Sequence, residues 1–99
     1  MIIFHIATQA DIDKMTMQGF YTADSLQIEG FIHCSTAAQV PETGKRYFAG
    51  RQDLYLLHLD ETKLHATLKY ELATNQELFP HIYGTIGKEA ILKIEKIAF

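Results

Sequence analysis

The run Leu-Tyr-Leu-Leu-His-Leu at residues 54–59 is the most apolar segment of the chain, and it constrains the fold most strongly. Gly50 precedes it, and the polar residues Asp60, Glu61 and Thr62 follow it. A short apolar run between turn-forming residues is typical of a buried strand. We therefore predict that residues 54–59 form the central strand of a sheet, followed by a turn or a single helical turn that Asp60 caps.

A further strand is expected at residues 2–7, where Ile and Phe alternate with other apolar side chains on both faces. Apolar residues on both faces indicate an interior strand covered on each side, which places His5 in a partly buried setting. Thr8 and Asp11 then fit a capping box. The sequence predicts a helix from this cap to about Gln18, with the next glycine placed to end it.

Residues 29–36, Glu-Gly-Phe-Ile-His-Cys-Ser-Thr, form a short strand-like run that organises the candidate site. Successive side chains of a strand point to opposite faces. Cys34 is therefore expected on the core side as a small buried hydrophobe, and His33 cannot act as a base for it. Alternation gives one face with Phe31, His33 and Ser35, and another with Ile32 and Cys34.

The segment between the first helix and this strand has an irregular pattern, and Tyr21 and Ser25 are expected at a pocket lip. After the strand, residues 36–39 offer a second capping box. Pro41 is tolerated only in a first turn, so either the helix starts nearer Gln39 or two short helical pieces meet there. The aromatic pair that follows and its neighbouring alanine are expected to pack inward: Tyr47, Phe48 and Ala49.

Three patterns describe the second half of the chain. Residues 68–72 alternate, which predicts a strand with Leu68, Tyr70 and Leu72 inward and Lys69 and Glu71 outward. Residues 78–84 are expected to form an aromatic loop that must be covered or must cover something. Residues 90–99 have Ile91, Ile94 and Ile97 at helical spacing, but their β-branched content favours a strand.

Composition excludes several classes of protein. At 99 residues the chain is expected to be one domain spanning 1–99. A net charge of −3 does not indicate the clustered basic surface that binding to duplex nucleic acid usually requires. The single cysteine excludes an intramolecular disulfide, and the sequence shows no signal peptide or membrane span, so we expect a cytoplasmic protein.

Five histidines raise the question of a metal site. No two of them have the close spacing of a standard zinc motif, and Cys34 is the only candidate thiolate. A metal site would have to be assembled by the fold from His5, His33 and His81. We therefore expect no metal.

A polar ligand site is the stronger candidate, because imidazoles, hydroxyls and a carboxylate recur at strand ends and in the aromatic segment. Each residue also has a structural explanation. His5 and His33 can be core histidines with all their hydrogen bonds made, and Ser35 can be a helix cap. Glu71 can pair with Lys69, and the remaining two candidates can be packing residues. The candidates are His5, His33, Ser35, Glu71, His81 and Tyr83.

Two motifs, Glu-Gly-Phe-Ile-His-Cys-Ser at 29–35 and Phe-Pro-His-Ile-Tyr-Gly at 79–84, closely resemble the domain-of-unknown-function 952 family. Ile-Phe-His-Ile at 3–6 and Tyr-Phe-Ala-Gly at 47–50 extend the resemblance, which runs essentially end to end. It implies an ADP-ribosylation-like fold: an α+β domain with a split, mixed β-sheet and short helices packed on it.

The resemblance also implies site roles. In RNA 2'-phosphotransferases of that fold, two strands carry histidines, and residues 4–8 and 31–35 look like those strands. The first-strand histidine is usually followed by glycine, where this chain has Ile6, and the chain has no room for an accessory RNA-binding domain. By analogy, an NAD or ADP-ribose type cofactor would contact His5, Thr8, His33 and Ser35. We expect Tyr83 to join these cofactor contacts, and Glu71 and His81 to be the catalytic residues.

The leading hypothesis is thus a small domain whose histidine-lined cleft binds a nucleotide-like ligand, NAD or ADP-ribose in type, with ADP-ribosyl transfer as its activity. Glu71 would stabilise an oxocarbenium-like ribosyl cation. The alternative is a non-catalytic ligand-binding or protein-binding domain that keeps the fold and holds a partner with the aromatic segment around Phe79 and Tyr83.

Overall fold

A computed structural model describes residues 1–73 and 75–99. Strands and α-helices alternate through most of this part of the chain, and 3-10 turns connect several of them. The elements in order are β1 (Ile2–Thr8), α1 (Gln9–Gln18), β2 (Phe20–Tyr21), α2 (Asp24–Glu29), β3 (Ile32–His33), a 3-10 turn (Ala37–Gln39), α3 (Val40–Phe48), β4 (Leu54–Asp60), a 3-10 turn (Glu61–Lys63), β5 (Thr67–Leu72), β6 (Leu78–Tyr83), β7 (Ile86–Gly87), a 3-10 turn (Lys88–Ala90) and β8 (Ile91–Ile97).

The apolar run at 54–59 is the centre of the first sheet, as the sequence predicts. This sheet has the order β1-β4-β8. Leu57 and Leu59 point to one face and are fully buried. Leu54 and Leu56 point to the other face and are buried as well, so both faces of β4 are covered. The strand at 91–97 confirms the prediction for the last segment.

The second sheet has the order β3-β6-β5, and β2 and β7 form a separate two-stranded ribbon. Every pairing between the described strands is antiparallel, whereas the sequence-based expectation was a mixed sheet. The two larger sheets meet where Phe4 and Ser35 exchange backbone hydrogen bonds of 2.8 and 2.7 Å. The α+β class and the division into small sheets are thus observed.

The predicted first helix is confirmed at both ends. Thr8 Oγ1 accepts a bond of 3.2 Å from the Asp11 N–H, and the Asp11 carboxylate accepts one of 3.4 Å from the Thr8 N–H. Gly19 ends the helix at φ 89°, in the left-handed region that glycine favours. The second capping region is confirmed as two helical pieces, because a 3-10 turn runs directly into α3.

Three expectations for the helical half were wrong. The segment expected to be irregular contains β2 and α2. Tyr21 is fully buried and does not line a pocket lip, because its hydroxyl finds a partner inside the core, the ring of His5. Tyr47 is 69% exposed and Ala49 is exposed as well, so neither packs inward, whereas Phe48 is half-buried.

The aromatic segment at 78–83 is a strand, not a loop. It is the middle strand of the second sheet, and its inward residues Pro80 and Ile82 are fully buried. Pro80 donates no backbone hydrogen bond, but its carbonyl accepts one of 3.0 Å from the Cys34 N–H. The strand predicted at 68–72 is confirmed as β5, but Tyr70 and Leu72, which were predicted inward, are 40% and 60% exposed because β5 is an edge strand.

The main core lies between the first sheet and the inner face of the second. Cys34 belongs to it, as predicted, and burial raises the pKa of its thiol, so the thiol is protonated at neutral pH. The core residues are Ile3, Ala7, Met15, Tyr21, Ile32, Cys34, Leu57, Leu59, Ile82, Ile86 and Ala90.

Among the described residues, no helix has both the length and the apolar character needed to cross a membrane.

Close packing at Gly44 fixes α3 against the end of the chain. The ring of Phe99 lies where a side chain at position 44 would start, since a Cβ built there would come within 2.0 Å of it. The backbone also joins the two regions, because the Gly50 N–H donates to the Phe99 carbonyl at 3.4 Å. A residue larger than glycine at 44 must therefore displace the Phe99 ring.

We predict that Gly44→Ala lowers the free energy of unfolding by about 1–3 kcal/mol, measured by urea denaturation. The control is a double-mutant cycle with Phe99→Ala, which removes the ring that the new methyl group would meet. Gly44→Ala should cost much less in the Phe99→Ala background. An equal cost in both backgrounds would contradict the packing explanation.

Candidate functional site

The outer face of the second sheet carries most of the predicted site residues. Register places His33, His81 and Lys69 side by side across β3, β6 and β5. Paired residues of neighbouring strands point to the same face, away from the buried side of Ile32 and Ile82. We refer to this surface as the His33–His81 face, defined by Phe31, His33, Lys69, Glu71, His81 and Tyr83.

Aromatic rings form the centre of this face. Phe31 stacks on His81 with ring centroids 4.0 Å apart and ring planes at 18°. His33 meets both rings edge-on, at 4.8 Å from Phe31 and 5.4 Å from His81. The Tyr83 ring lies 5.5 Å from Phe31, and the Lys69 ammonium is 5.1 Å from the centre of the Tyr83 ring. The face thus offers π surfaces next to a cation.

Glu71 is the hydrogen-bond acceptor that holds two of these rings. Its Oε1 accepts from the Tyr83 hydroxyl and from His81 Nδ1–H, the latter at 2.9 Å. These bonds, first that of Tyr83 and then that of His81, lower the pKa of the Glu71 carboxyl below its ordinary value. Glu71 is therefore ionised at neutral pH, and it in turn raises the pKa of Tyr83.

The bond to Glu71 fixes the orientation of His81. A carboxylate only accepts, so Nδ1 of His81 carries the proton, and Nε2 of the neutral ring holds the lone pair. An imidazole oriented by a carboxylate through one nitrogen can exchange a proton through the other. His81 thus has the arrangement of a general base, with its side chain 12% exposed.

His33 has a matching partner on the other side of the face. Its Nε2–H donates to Glu29 Oε2 at 2.7 Å, and both side chains are about half exposed. Two imidazoles therefore lie next to each other, each oriented by a different carboxylate. No three His, Cys, Asp or Glu side chains are grouped as metal ligands in the part of the chain that the structure describes.

His5 lies in the core rather than on this face. Its Nδ1–H donates to the His33 carbonyl at 2.6 Å, and its Nε2 accepts from the Tyr21 hydroxyl at 2.6 Å. Burial lowers the pKa of His5 below its ordinary value, so the ring is neutral. Burial, with the nearby Asp11 charge, raises the pKa of Tyr21. His5 thus touches β3 through its backbone.

Thr8 and Ser35 are also held apart from the His33–His81 face. The Thr8 hydroxyl is engaged as the cap of α1. Ser35 is buried at the point where its backbone bonds to Phe4. Of the predicted site residues, the structure brings together His33, Glu71, His81 and Tyr83, and it leaves His5, Thr8 and Ser35 in structural positions.

Three members or neighbours of the face were missing from the predicted site: Glu29, Phe31 and Lys69. The sequence carried a signal for two of them. Phe31 alternates with His33, and Lys69 alternates with Glu71, so each shares a strand face with a predicted site residue. Glu29 is the last residue of α2, a helix that the irregular pattern of this segment did not predict.

The described cavities lie elsewhere. One of about 70 Å³ lies between α3 and the β5–β6 hairpin, beside Arg46, Tyr47 and Phe79. A second of about 50 Å³ lies beside Asp11 and Asp24. Neither of these two cavities is lined by a residue of the His33–His81 face. On this face His33 and Lys69 are exposed, and the other four side chains are half-buried.

Fold and site together define a small α+β domain with an exposed histidine and aromatic surface. Residues 6–94 match the family described as protein of unknown function (DUF952), and the chain belongs to that family. None of the curated proteins matches the chain.

Solved structures of protein CC0527 from Caulobacter crescentus are similar to this chain. Its crystal structure is 28% identical, with a TM-score of 0.88 over 97% of this chain and 85% of that one. The crystal structure of a doubly substituted variant is 27% identical, with a TM-score of 0.88 and the same coverage, 97% and 85%. The solution NMR structure is 27% identical, with a TM-score of 0.83 over 99% and 85%.

The burial of His5 predicts a pH dependence of stability. Because the folded-state pKa is lowered, the unfolded chain binds the proton more readily near the ordinary pKa of about 6.5. The free energy of unfolding should therefore fall as the pH drops from about 7.5 to about 5, by at most about 1.4 kcal/mol per pH unit from this residue. Urea denaturation at several pH values measures it.

His5→Gln should remove this part of the pH dependence, whatever its cost at neutral pH. His65→Gln is the matched control, because His65 is exposed and its loss removes an imidazole without touching the core. The explanation fails if His5→Gln keeps the wild-type dependence, or if His65→Gln removes the same part of it.

Proposed function

We propose that the His33–His81 face binds a nucleotide-like ligand of the NAD or ADP-ribose type, and that Glu71 and His81 serve ADP-ribosyl transfer on it. The observation that carries the proposal is the Glu71 carboxylate, which accepts hydrogen bonds from Tyr83 and His81 beside the stacked rings of Phe31 and His81. The proposal includes assignment of the split sheet to the ADP-ribosylation-like folds.

The groups on the face suit the parts of such a ligand. Phe31 and the imidazoles offer π surfaces on which a base or a nicotinamide ring can stack. Glu71 can accept hydrogen bonds from ribose hydroxyls, as acidic residues do in dinucleotide sites. Lys69 lies beside Tyr83 and supplies a positive charge for a phosphate.

The same arrangement suits the transfer chemistry. Nicotinamide leaves with the electron pair of the C1'–N bond, and positive charge develops on the ribose. A carboxylate beside that charge stabilises the transition state, which is the role proposed for Glu71. His81 Nε2 takes the proton of the acceptor hydroxyl as its oxygen bonds to C1'. The proposed cofactor contacts of His5, Thr8 and Ser35 would require these residues to act from beneath the face.

A second candidate, a non-catalytic binding domain, is favoured by the openness of the face. The His33 side chain is 53% exposed and that of Glu71 is 39% exposed. Sites that bury small ligands are usually concave and enclosed, and catalysis gains from exclusion of water. An open face with fixed aromatic groups also suits a protein partner.

We predict that NAD or ADP-ribose at millimolar concentration shifts the ring signals of His33 and His81 in NMR spectra, with His65 unmoved. Glu71→Gln should weaken binding about tenfold or more, because it removes the charge that accepts the ligand hydroxyls. Glu89→Gln is the matched control, since Glu89 bonds to His65 at 2.8 Å outside the face.

The outcomes separate the candidates. Release of nicotinamide from NAD that is lost in Glu71→Gln and kept in Glu89→Gln would support transfer. Binding without release would favour a non-catalytic role. No shift of any histidine with either ligand would contradict the nucleotide proposal.

A further inference from the structure

The outer edge of β8 is unpaired. The first sheet has the order β1-β4-β8, and among the described strands β8 pairs with β4 alone. An edge strand presents a row of backbone donors and acceptors to any strand that approaches it. The edge also carries apolar groups, because Leu92 is 50% exposed and Ile94 is 41% exposed.

We propose that two copies of this chain pair through β8, as antiparallel strands centred on Ile94. The pair would join the two first sheets into one continuous sheet. Side chains that face each other across two strands must point to the same face. When two identical antiparallel strands are related by a two-fold axis, this condition is met only if one residue lies directly opposite the same residue of the partner. The axis passes between these two copies of the residue.

The charges of β8 favour one of the registers in which the two-fold axis passes near the middle of the strand. A pair centred on Lys93 opposes two ammonium groups, and one centred on Glu95 opposes two carboxylates, which is unfavourable in both cases. A pair centred on Ile94 places each Lys93 opposite the partner's Glu95, twice by symmetry. It also brings the two Ile94 side chains together. The segment Lys-Ile-Glu at 93–95 is thus self-complementary in this register.

The charged groups are available for this pairing. Glu95 uses Oε1 to accept from His58 at 2.7 Å, while its Oε2 lies 3.7 Å from the Lys93 ammonium of the same strand. Lys93 is 61% exposed, so its ammonium can reach the partner's Glu95 instead.

Lys96 does not oppose the approach of a second strand, although lysines on edge strands often do. Its ammonium donates to the Gln52 carbonyl and lies 4.7 Å from the centre of the Tyr55 ring. The charge is thereby engaged within its own chain.

The pairing is expected to be weak. The register between β4 and β8 shifts between His58 and Leu59, which leaves Leu92 without a partner in β4. Such a bulge bends the strand and shortens the regular stretch that a second copy can use. Association should therefore be sought at concentrations from about 10 μM to about 1 mM.

Sedimentation equilibrium of the full chain tests the proposal. The wild type should show a concentration-dependent dimer. Lys93→Glu places carboxylates opposite each other twice, so its dimer dissociation constant should rise about tenfold or more. Lys45→Glu is the matched control, because it makes the same charge change at an exposed position on α3 and should leave the dimer unchanged.

Complementary variants test the register itself. In an equimolar mixture of Lys93→Glu and Glu95→Lys chains, each strand opposes opposite charges, so heterodimers should form although each variant alone dimerises more weakly than the wild type. Circular dichroism checks that both variants are folded. A wild type that stays monomeric throughout, or a Lys93→Glu variant that dimerises as the wild type does, would overturn the proposal.

Discussion

The hydrogen bond from His5 Nδ1–H to the His33 carbonyl is the interaction on which the candidate site depends. Together with the Phe4–Ser35 backbone pair, it joins β1 of the first sheet to the β3 region of the second. β3 has only two residues of its own, so its position depends on these links and on β6. The buried Tyr21 hydroxyl completes the hydrogen bonding of the His5 ring. A buried imidazole left unbonded would be costly, so both bonds of the His5 ring stabilise this arrangement.

The outer face depends on a second kind of constraint, the hydrogen bonds between its histidines and two carboxylates. Glu29 and Glu71 each orient one imidazole, and the stacking of Phe31 on His81 limits the motion of the second ring. These bonds are partly exposed to solvent, so they add little to stability. Their main effect is to fix ring orientation and the position of the proton on each ring. The core network holds the strand, and the surface network holds the side chains.

The features that the sequence predicted depend on neighbours in the chain. The capping box of Thr8 and the central strand at 54–59 can be read locally, because spacing and apolar runs determine them. The aromatic segment at 78–83 could not be read locally. Pro80 argues against a middle strand because it has no N–H to donate, although its carbonyl still accepts from the Cys34 N–H. Tyr21 was misplaced for a similar reason, since its burial depends on His5, which is 16 residues away.

The separation of His5 from His33 changes how a shared role for the two residues must be understood. Resemblance suggests that both contact a ligand, whereas geometry puts one ring in the core and the other on the surface. The two statements are compatible if His5 acts as a positioning residue. Its proton is committed to the His33 carbonyl and its lone pair to Tyr21, so the neutral ring has no donor left for a ligand. Any effect of His5 on a ligand must then pass through the backbone of β3, which carries His33 and adjoins Phe31.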